Sequence, residues 1–329
     1  MKIVRTDMEL ETPFIDKTLR EKGHNLVLLP DGVSEKILME EIKDCDILLM
    51  CYTPITRRII NSAKKLKAIV KYGVGIDAID IPAANEKGTV VVNIPEYAEE
   101  TVAEGAFAML IALAKKLPML QKQMNNQAWV WPSREWLGLD IAGKTLGIVG
   151  CGKIGTSMAR MAGTGFRAKV IGYDPHKSKE ELAKRGIEKY DDLLELIKEC
   201  DFISLHAVLN KETKHLIGAK EFSAMKKTAI IINSARGSLI DEMALLEALE
   251  KNKIAGAGLD VYSMEPLNKT DHPLKKLYEM DNVILLPHLT FYTEEAMLRL
   301  EEETLERIDE IMENRPVTIK SKDPRLQNQ

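Results

Sequence analysis

The chain has 329 residues, 45% of them hydrophobic and 29% charged, with a formal net charge of −4. That balance, with Lys and Arg dispersed among Asp and Glu, excludes the basic footprint that nucleic acid or an anionic membrane surface requires. The length exceeds that of an ordinary single domain and predicts two.

Met1-Lys2-Ile3-Val4-Arg5 leads directly into a strand-like segment, with neither the apolar core nor the small-residue cleavage site of a secretory signal. No run approaches the ~18 uncharged apolar residues of a membrane span, so the expectation is a cytoplasmic protein. Residues 34–43 carry apolar side chains at helical spacing, and 47–50, 68–70 and 90–92 read as buried strands. Strands alternating with amphipathic helices predict β-α-β units and a parallel sheet. Residues 98–117, rich in Ala, Leu and Glu and free of Pro until Pro118, predict one helix of about 30 Å at 1.5 Å per residue. A loop with Trp129, Trp131 and Trp136 follows. A second alternating series then predicts six strands, at 145–149, 169–173, 202–206, 229–233, 256–261 and 283–287. The last helix is expected over 294–314, before Pro316.

This pattern predicts an α/β fold of two doubly wound, Rossmann-like parallel-sheet domains. The nucleotide-binding domain, 99–290, is expected to be inserted into a discontinuous substrate domain of 1–98 and 291–329. The cleft between domains is the default place for chemistry. Cys45, Cys51, Cys151 and Cys200 form no C-x-x-C pair and no zinc spacing, so they read as free thiols and no metal site is expected.

The strand at 145–149 runs into Gly150-Cys151-Gly152-Lys153-Ile154-Gly155. This is G-x-G-x-x-G in the context that gives it meaning, after an apolar strand and opening a helix. The first glycine permits the turn, the second lets a pyrophosphate approach, and the third lets helix and strand pack closely. The helix N-terminus would present amides and a partial positive charge to the phosphates. The next strand ends at Asp174, before Pro175, where a carboxylate holds both ribose hydroxyls and repels a 2′-phosphate. NAD is therefore the expected cofactor, while His176, Lys177 and Lys179 leave NADP open. The competing reading of Asp174 is a turn-forming residue ahead of Pro175.

Three further strand ends carry Asn233-Ser234-Ala235-Arg236-Gly237, then Gly258-Leu259-Asp260-Val261 with Glu265-Pro266 soon after, then Pro287-His288-Leu289-Thr290. Ligands of open α/β sheets bind outside the carboxyl ends of strands. Arg offers a rigid fork to a carboxylate, His exchanges a proton near neutral pH, and an acid behind the imidazole orients it. Taken singly, Arg236 reads as a surface ion-pair partner, Glu265 as a solvated charge and His288 as a core histidine. Their joint placement on one sheet edge favours a catalytic set.

In this order, and with Lys71-Tyr72-Gly73-Val74-Gly75-Ile76-Asp77 in the first domain, the motifs resemble the D-isomer-specific 2-hydroxyacid dehydrogenase family over nearly the whole chain. The resemblance implies that Arg236 binds the substrate carboxylate, that His288 is the acid/base and that Glu265 is its partner. It puts Asp260 near the nicotinamide carboxamide and Thr101 against the nicotinamide. His206, Ala207, Val208 and Thr213 would line the cofactor groove, with Ser234 and Ala235 beside them. The amides of Val74 and Gly75 would help to bind the substrate carboxylate. Val208 stands where the family usually has Pro. Thr290-Phe291-Tyr292-Thr293 looks like the corresponding stretch of the D-lactate and D-2-hydroxyisocaproate branch, which hints at pyruvate or a larger apolar 2-oxo acid. Tyr52, Tyr72 and the Trp129/Trp131 loop are candidate pocket walls, the tryptophans equally candidates for core or dimer packing. A homodimer is implied. The rivals are an NAD-sensing protein like the co-repressors of this fold and, among enzymes, phosphoglycerate dehydrogenase.

Overall fold

Short apolar runs bounded by turn residues form the strands of a computed structural model that describes residues 1–327 and divides into two units, Met1–Ala98 with the segment from Tyr292, and Glu99–Phe291. In the first unit β1 (Lys2–Arg5), α1 (Pro13–Glu21), β2 (Asn25–Leu28), α2 (Glu35–Glu41) and β3 (Ile47–Met50) lead to α3 (Arg57–Ser62), β4 (Ala68–Lys71), α4 (Ile81–Glu86) and β5 (Val90–Asn93). The five strands are all parallel, in the order β2-β1-β3-β4-β5. Every residue of β3 and β4 is buried, as strands covered on both faces must be. Side-chain caps set the helix starts: Ser34, Thr56 and Asp80 accept the amides of Ile37, Ile59 and Ala83.

The second unit contains α5 (Glu99–Ala114), α6 (Leu117–Gln127), β6 (Thr145–Val149), α7 (Lys153–Arg160), β7 (Lys169–Tyr173), α8 (Lys179–Ala183) and β8 (Glu188–Tyr190). It continues with α9 (Leu193–Glu199), β9 (Phe202–Leu205), α10 (Ala219–Ala224), β10 (Ile230–Asn233), α11 (Glu242–Glu250), β11 (Gly256–Leu259) and β12 (Val283–Leu285). Its seven parallel strands run β12-β11-β10-β9-β6-β7-β8, so the order reverses between β6 and β9. The last helix, α12 (Glu294–Met312), belongs to the first unit, where Glu301 Oε2 accepts the Ile15 amide at the start of α1 at 2.8 Å. Among the described residues no helix is long and apolar enough to cross a membrane. The four cysteines are free and buried.

Several expectations are corrected. The single helix over 98–117 is two: α5 stops at Ala114, Lys116 turns into the left-handed region at φ 54°, and Pro118 lies in the first turn of α6. Proline needs no amide there, so it opens a helix where it was read as closing one. The second sheet has a seventh strand, β8, whose three residues Glu-Lys-Tyr carry no apolar signal because it is a sheet edge. The edge strand β2 of the first sheet was not predicted either, although its Leu26-Val27-Leu28 run is apolar.

Candidate active site

The glycine loop sits where the sheet order reverses. Gly150 has φ +90°, and a Cβ there would lie 2.5 Å from the Ala207 amide nitrogen, so the turn after β6 crosses the end of β9 in backbone contact. A Cβ at Gly155 would meet the Gly150 carbonyl oxygen at 2.3 Å, which is why α7 can close onto the loop only without a side chain. Gly152 has no heavy atom within 4 Å of that position and faces open space. The three glycines thus meet the three separate demands of a dinucleotide cradle. Ser234 Oγ, at the end of β10, is buried without a hydrogen-bond partner among the described residues, an orphaned hydroxyl that a ligand would satisfy.

Asp174 is engaged with the backbone on both sides of its turn. Its Oδ2 accepts the Cys151 amide at 3.0 Å and its Oδ1 the His176 amide at 3.0 Å, so it shapes the turn ahead of Pro175 while lying against the glycine loop. Lys153 pairs with Glu99 at 2.8 Å, and Ile154 packs into the core beneath α7. Beyond β9, His206 Nε2 lies 2.8 Å from Ser204 Oγ, and burial pushes this imidazole down to about 4, leaving it neutral. Thr213 Oγ1 donates to the Val208 carbonyl at 2.7 Å and accepts the Asn210 amide at 2.8 Å, closing the 208–213 loop with Val208 exposed. Ala207 and Ala235 are half-buried against the core, and Thr101 is buried in α5.

Arg236, Glu265 and His288 come from the ends of β10, β11 and β12. Glu265 Oε2 lies 2.9 Å from His288 Nδ1, and its Oε1 accepts the Tyr262 amide at 2.9 Å. Burial opposes the Glu265 charge, but the His288 hydrogen bond, the Tyr262 amide and the Arg236 guanidinium outweigh it and hold the carboxyl below its ordinary range. With Glu265 ionised, Nδ1 carries the proton. Arg236 donates to the Ala235 carbonyl at 2.6 Å and is half-buried. Gly237 brings these segments together: a Cβ there would fall 2.0 Å from the carbonyl carbon of Tyr262.

Asp260, which the resemblance set beside a nicotinamide, is held within the protein. It is fully buried, and its three donors are the Leu289 amide at 2.8 Å, the Thr290 amide at 3.0 Å and the Thr290 hydroxyl at 2.6 Å. It therefore fixes the turn that carries His288, whose backbone is left-handed at φ 60° and costs about 1–2 kcal/mol to hold. Of the stretch 290–293, Thr290 is used on Asp260, Phe291 is buried and Thr293 caps α12 through the Ala296 amide, leaving Tyr292 exposed.

In the first unit, Tyr72 is corrected from pocket wall to core: it is fully buried and its hydroxyl donates to the Thr6 carbonyl at 2.6 Å. Tyr52 is half-buried with Lys71 Nζ 5.5 Å from its ring centroid. Val74 is exposed and Gly75 half-buried, so this loop reaches the surface of its unit. No motif pointed to Asp7, a buried residue at φ 58° whose carboxylate accepts the amides of Cys51, Tyr52 and Thr53 at 2.7–3.1 Å. It holds the loop after β3 much as Asp260 holds the loop after β12.

Residues 107–290 match the D-isomer specific 2-hydroxyacid dehydrogenase NAD binding domain. The chain is 43% identical over 281 residues to a D-3-phosphoglycerate dehydrogenase of Methanocaldococcus jannaschii, covering 85% of this chain and 52% of that protein. It thus spans about half the length of that relative. Identity to a glyoxylate reductase of Korarchaeum cryptofilum is 40% over 278 residues, 84% of this chain and 82% of that one. The D-lactate dehydrogenase of Aquifex aeolicus, solved with NAD and lactic acid, superposes with a TM-score of 0.84 at 33% identity, over 95% of this chain and 96% of that one. With its glycine cradle, its NAD-binding sheet and these relatives, the chain belongs to the D-isomer specific 2-hydroxyacid dehydrogenase family.

Proposed function

We propose that the protein interconverts small 2-oxo acids and their D-2-hydroxy acids with NAD, and that Arg236, Glu265 and His288 do the chemistry. The observation that carries this reading is the 2.9 Å contact of His288 Nδ1 with a Glu265 whose charge is favoured. When bound, the nicotinamide supplies or accepts hydride at C2. His288 Nε2 gives the carbonyl oxygen its proton, and Glu265 stabilises the imidazolium before the proton leaves. Arg236 binds the carboxylate through its planar fork and draws charge onto the adjacent oxygen. Asp260 acts by fixing the His288 turn rather than by touching a ligand. Asp174 selects NAD over NADP by repelling a 2′-phosphate. In the surface loop of the first unit, the amides of Val74 and Gly75 are anion donors.

Small 2-oxo acids, rather than the larger apolar acids that the 290–293 stretch suggested, are the substrates proposed. Similarity to glyoxylate reductase over most of both chains supports the same choice. A homodimer through α6 and the arm beyond it is part of the proposal. No residue of α6 is buried, and Trp129 and Trp131 are 70% and 78% exposed, edge to face at 6.3 Å. The decisive experiment follows NADH and NADPH consumption with glyoxylate, pyruvate, hydroxypyruvate, 2-oxoisocaproate and 3-phosphohydroxypyruvate. Turnover of the first three with NADH is the expected result. Flat traces from protein that still binds NADH refute the proposal.

A further inference from the structure

His272 belongs to no motif, yet it is buried in the loop that joins β11 to β12. Both ring nitrogens are engaged. Nδ1 accepts the Leu274 amide at 3.0 Å, and Nε2 lies 2.9 Å from the Met264 carbonyl oxygen. An amide hydrogen pointing at Nδ1 requires that nitrogen to be unprotonated, so the proton is on Nε2 and is donated to Met264. Met264 is the residue before Glu265.

The surroundings show what this bond does. On the His272 side the chain is anchored: Leu274 and Leu277 are buried in the core, and Asn268 Oδ1 collects the amides of Thr270, Asp271 and His272 at 3.0–3.3 Å. On the other side Ser263 donates its amide to Glu242 at 2.7 Å, and the Tyr262 hydroxyl donates to the Leu286 carbonyl at 2.9 Å. Met264 itself has an exposed side chain that anchors nothing. The backbone that carries Glu265 is thus pinned at residues 262 and 263 and again, at the Met264 carbonyl, by the imidazole of His272. An N–H···O contact at 2.9 Å is lost with a further separation of about 0.6 Å, so this pinning decides whether Glu265 reaches His288.

We infer that His272 is a positioning residue for the acid–base pair, holding the Met264–Glu265 backbone so that the Glu265 carboxylate meets His288 Nδ1. The inference rests on the catalytic reading of Glu265 and His288 proposed above.

Two substitutions separate this role from simple loop building. In His272→Asn the side-chain oxygen can keep the Leu274 amide in an Asx turn but offers Met264 no donor. In His272→Gln the longer amide restores a donor to Met264. The expected result is that His272→Asn lowers kcat about 10- to 100-fold, as misplacement of a catalytic group does. His272→Gln should recover most of that loss, and both should bind NADH within about twofold of wild type, since the glycine loop is untouched. In a Glu265→Gln background, His272→Asn should cost under about twofold more, because residues that act through one another are not additive. Normal kcat in His272→Asn, a better Asn than Gln variant, an Asn variant that does not fold, or full additivity with Glu265→Gln each overturns the inference. Wild-type turnover by Glu265→Gln overturns the acid–base reading and this inference together. An impaired Glu265→Gln beside an unimpaired His272→Asn overturns this inference alone.

Discussion

Replacing Gly152 by Ala should leave the free protein almost unchanged and cripple its grip on the cofactor. Gly152 has φ −71° and ψ −159°, extended backbone that alanine adopts, and nothing lies within 4 Å of an added Cβ. Reduced freedom of the unfolded chain favours Ala by about 0.4–1 kcal/mol, while Ala is the poorer residue before α7 by about 0.5 kcal/mol. The two nearly cancel, so Tm should move by no more than about 2 °C. Bound NADH changes the balance, because the open space over Gly152 is where the proposal puts the pyrophosphate. A methyl group there costs one charge-assisted hydrogen bond of about 1.5–3 kcal/mol, or about 10- to 100-fold in Kd. Fluorescence titration with NADH reads the affinity and thermal unfolding reads the stability. Gly150→Ala is the contrast: at φ +90°, with its Cβ 2.5 Å from the Ala207 nitrogen, it should lose at least about 1–2 kcal/mol before any ligand is added. An unchanged NADH affinity in Gly152→Ala, with Tm also unchanged, would refute the assignment of the loop to the pyrophosphate.

Three further outcomes follow from the same geometry. His288→Gln should lower kcat by about 10²–10⁴ while the NADH Kd stays near wild type, and comparable turnover would reject the acid/base role. Arg236→Lys keeps the charge but loses the planar fork, so KM for the 2-oxo acid should rise about tenfold or more; steady-state kinetics with an unchanged KM would sink the carboxylate clamp. Burial pushes His206 from 6.5 to about 4, so between those pH values the unfolded chain binds the proton and the native chain does not. Wild type should therefore lose stability relative to His206→Asn as pH falls through that window, and parallel Tm–pH curves would show that the histidine is not buried neutral.

What could be read without the structure was whatever depends on a residue's relation to its own backbone. β3, β4 and β9 are buried at every position and, Lys71 and Ser204 apart, apolar, because both faces of their sheets are covered, and that pattern is local. The glycine loop was legible for the same reason, since the positive φ of Gly150 and the contact of Gly155 with the Gly150 carbonyl both arise within six residues. Arg236, Glu265 and His288 were recognisable as strand-end residues, though their spacing in sequence says nothing of the 2.9 Å between the last two.

The edge strand β8, exposed enough to shed its apolar signature, was invisible, and so was the break at Lys116, where backbone dihedrals rather than Pro118 end α5. Tyr72 was misjudged because a buried tyrosine looks in sequence like its ligand-binding counterpart. His272 gave no signal at all. Its role is set by the Met264 carbonyl eight residues away, and which carbonyl an imidazole meets is decided by how two ends of a loop pack on one core. Hydrophobic periodicity records how deeply a side chain is buried against its own element; it carries no record of the donor or acceptor waiting there, which belongs to another part of the chain and exists only once the sheet has closed.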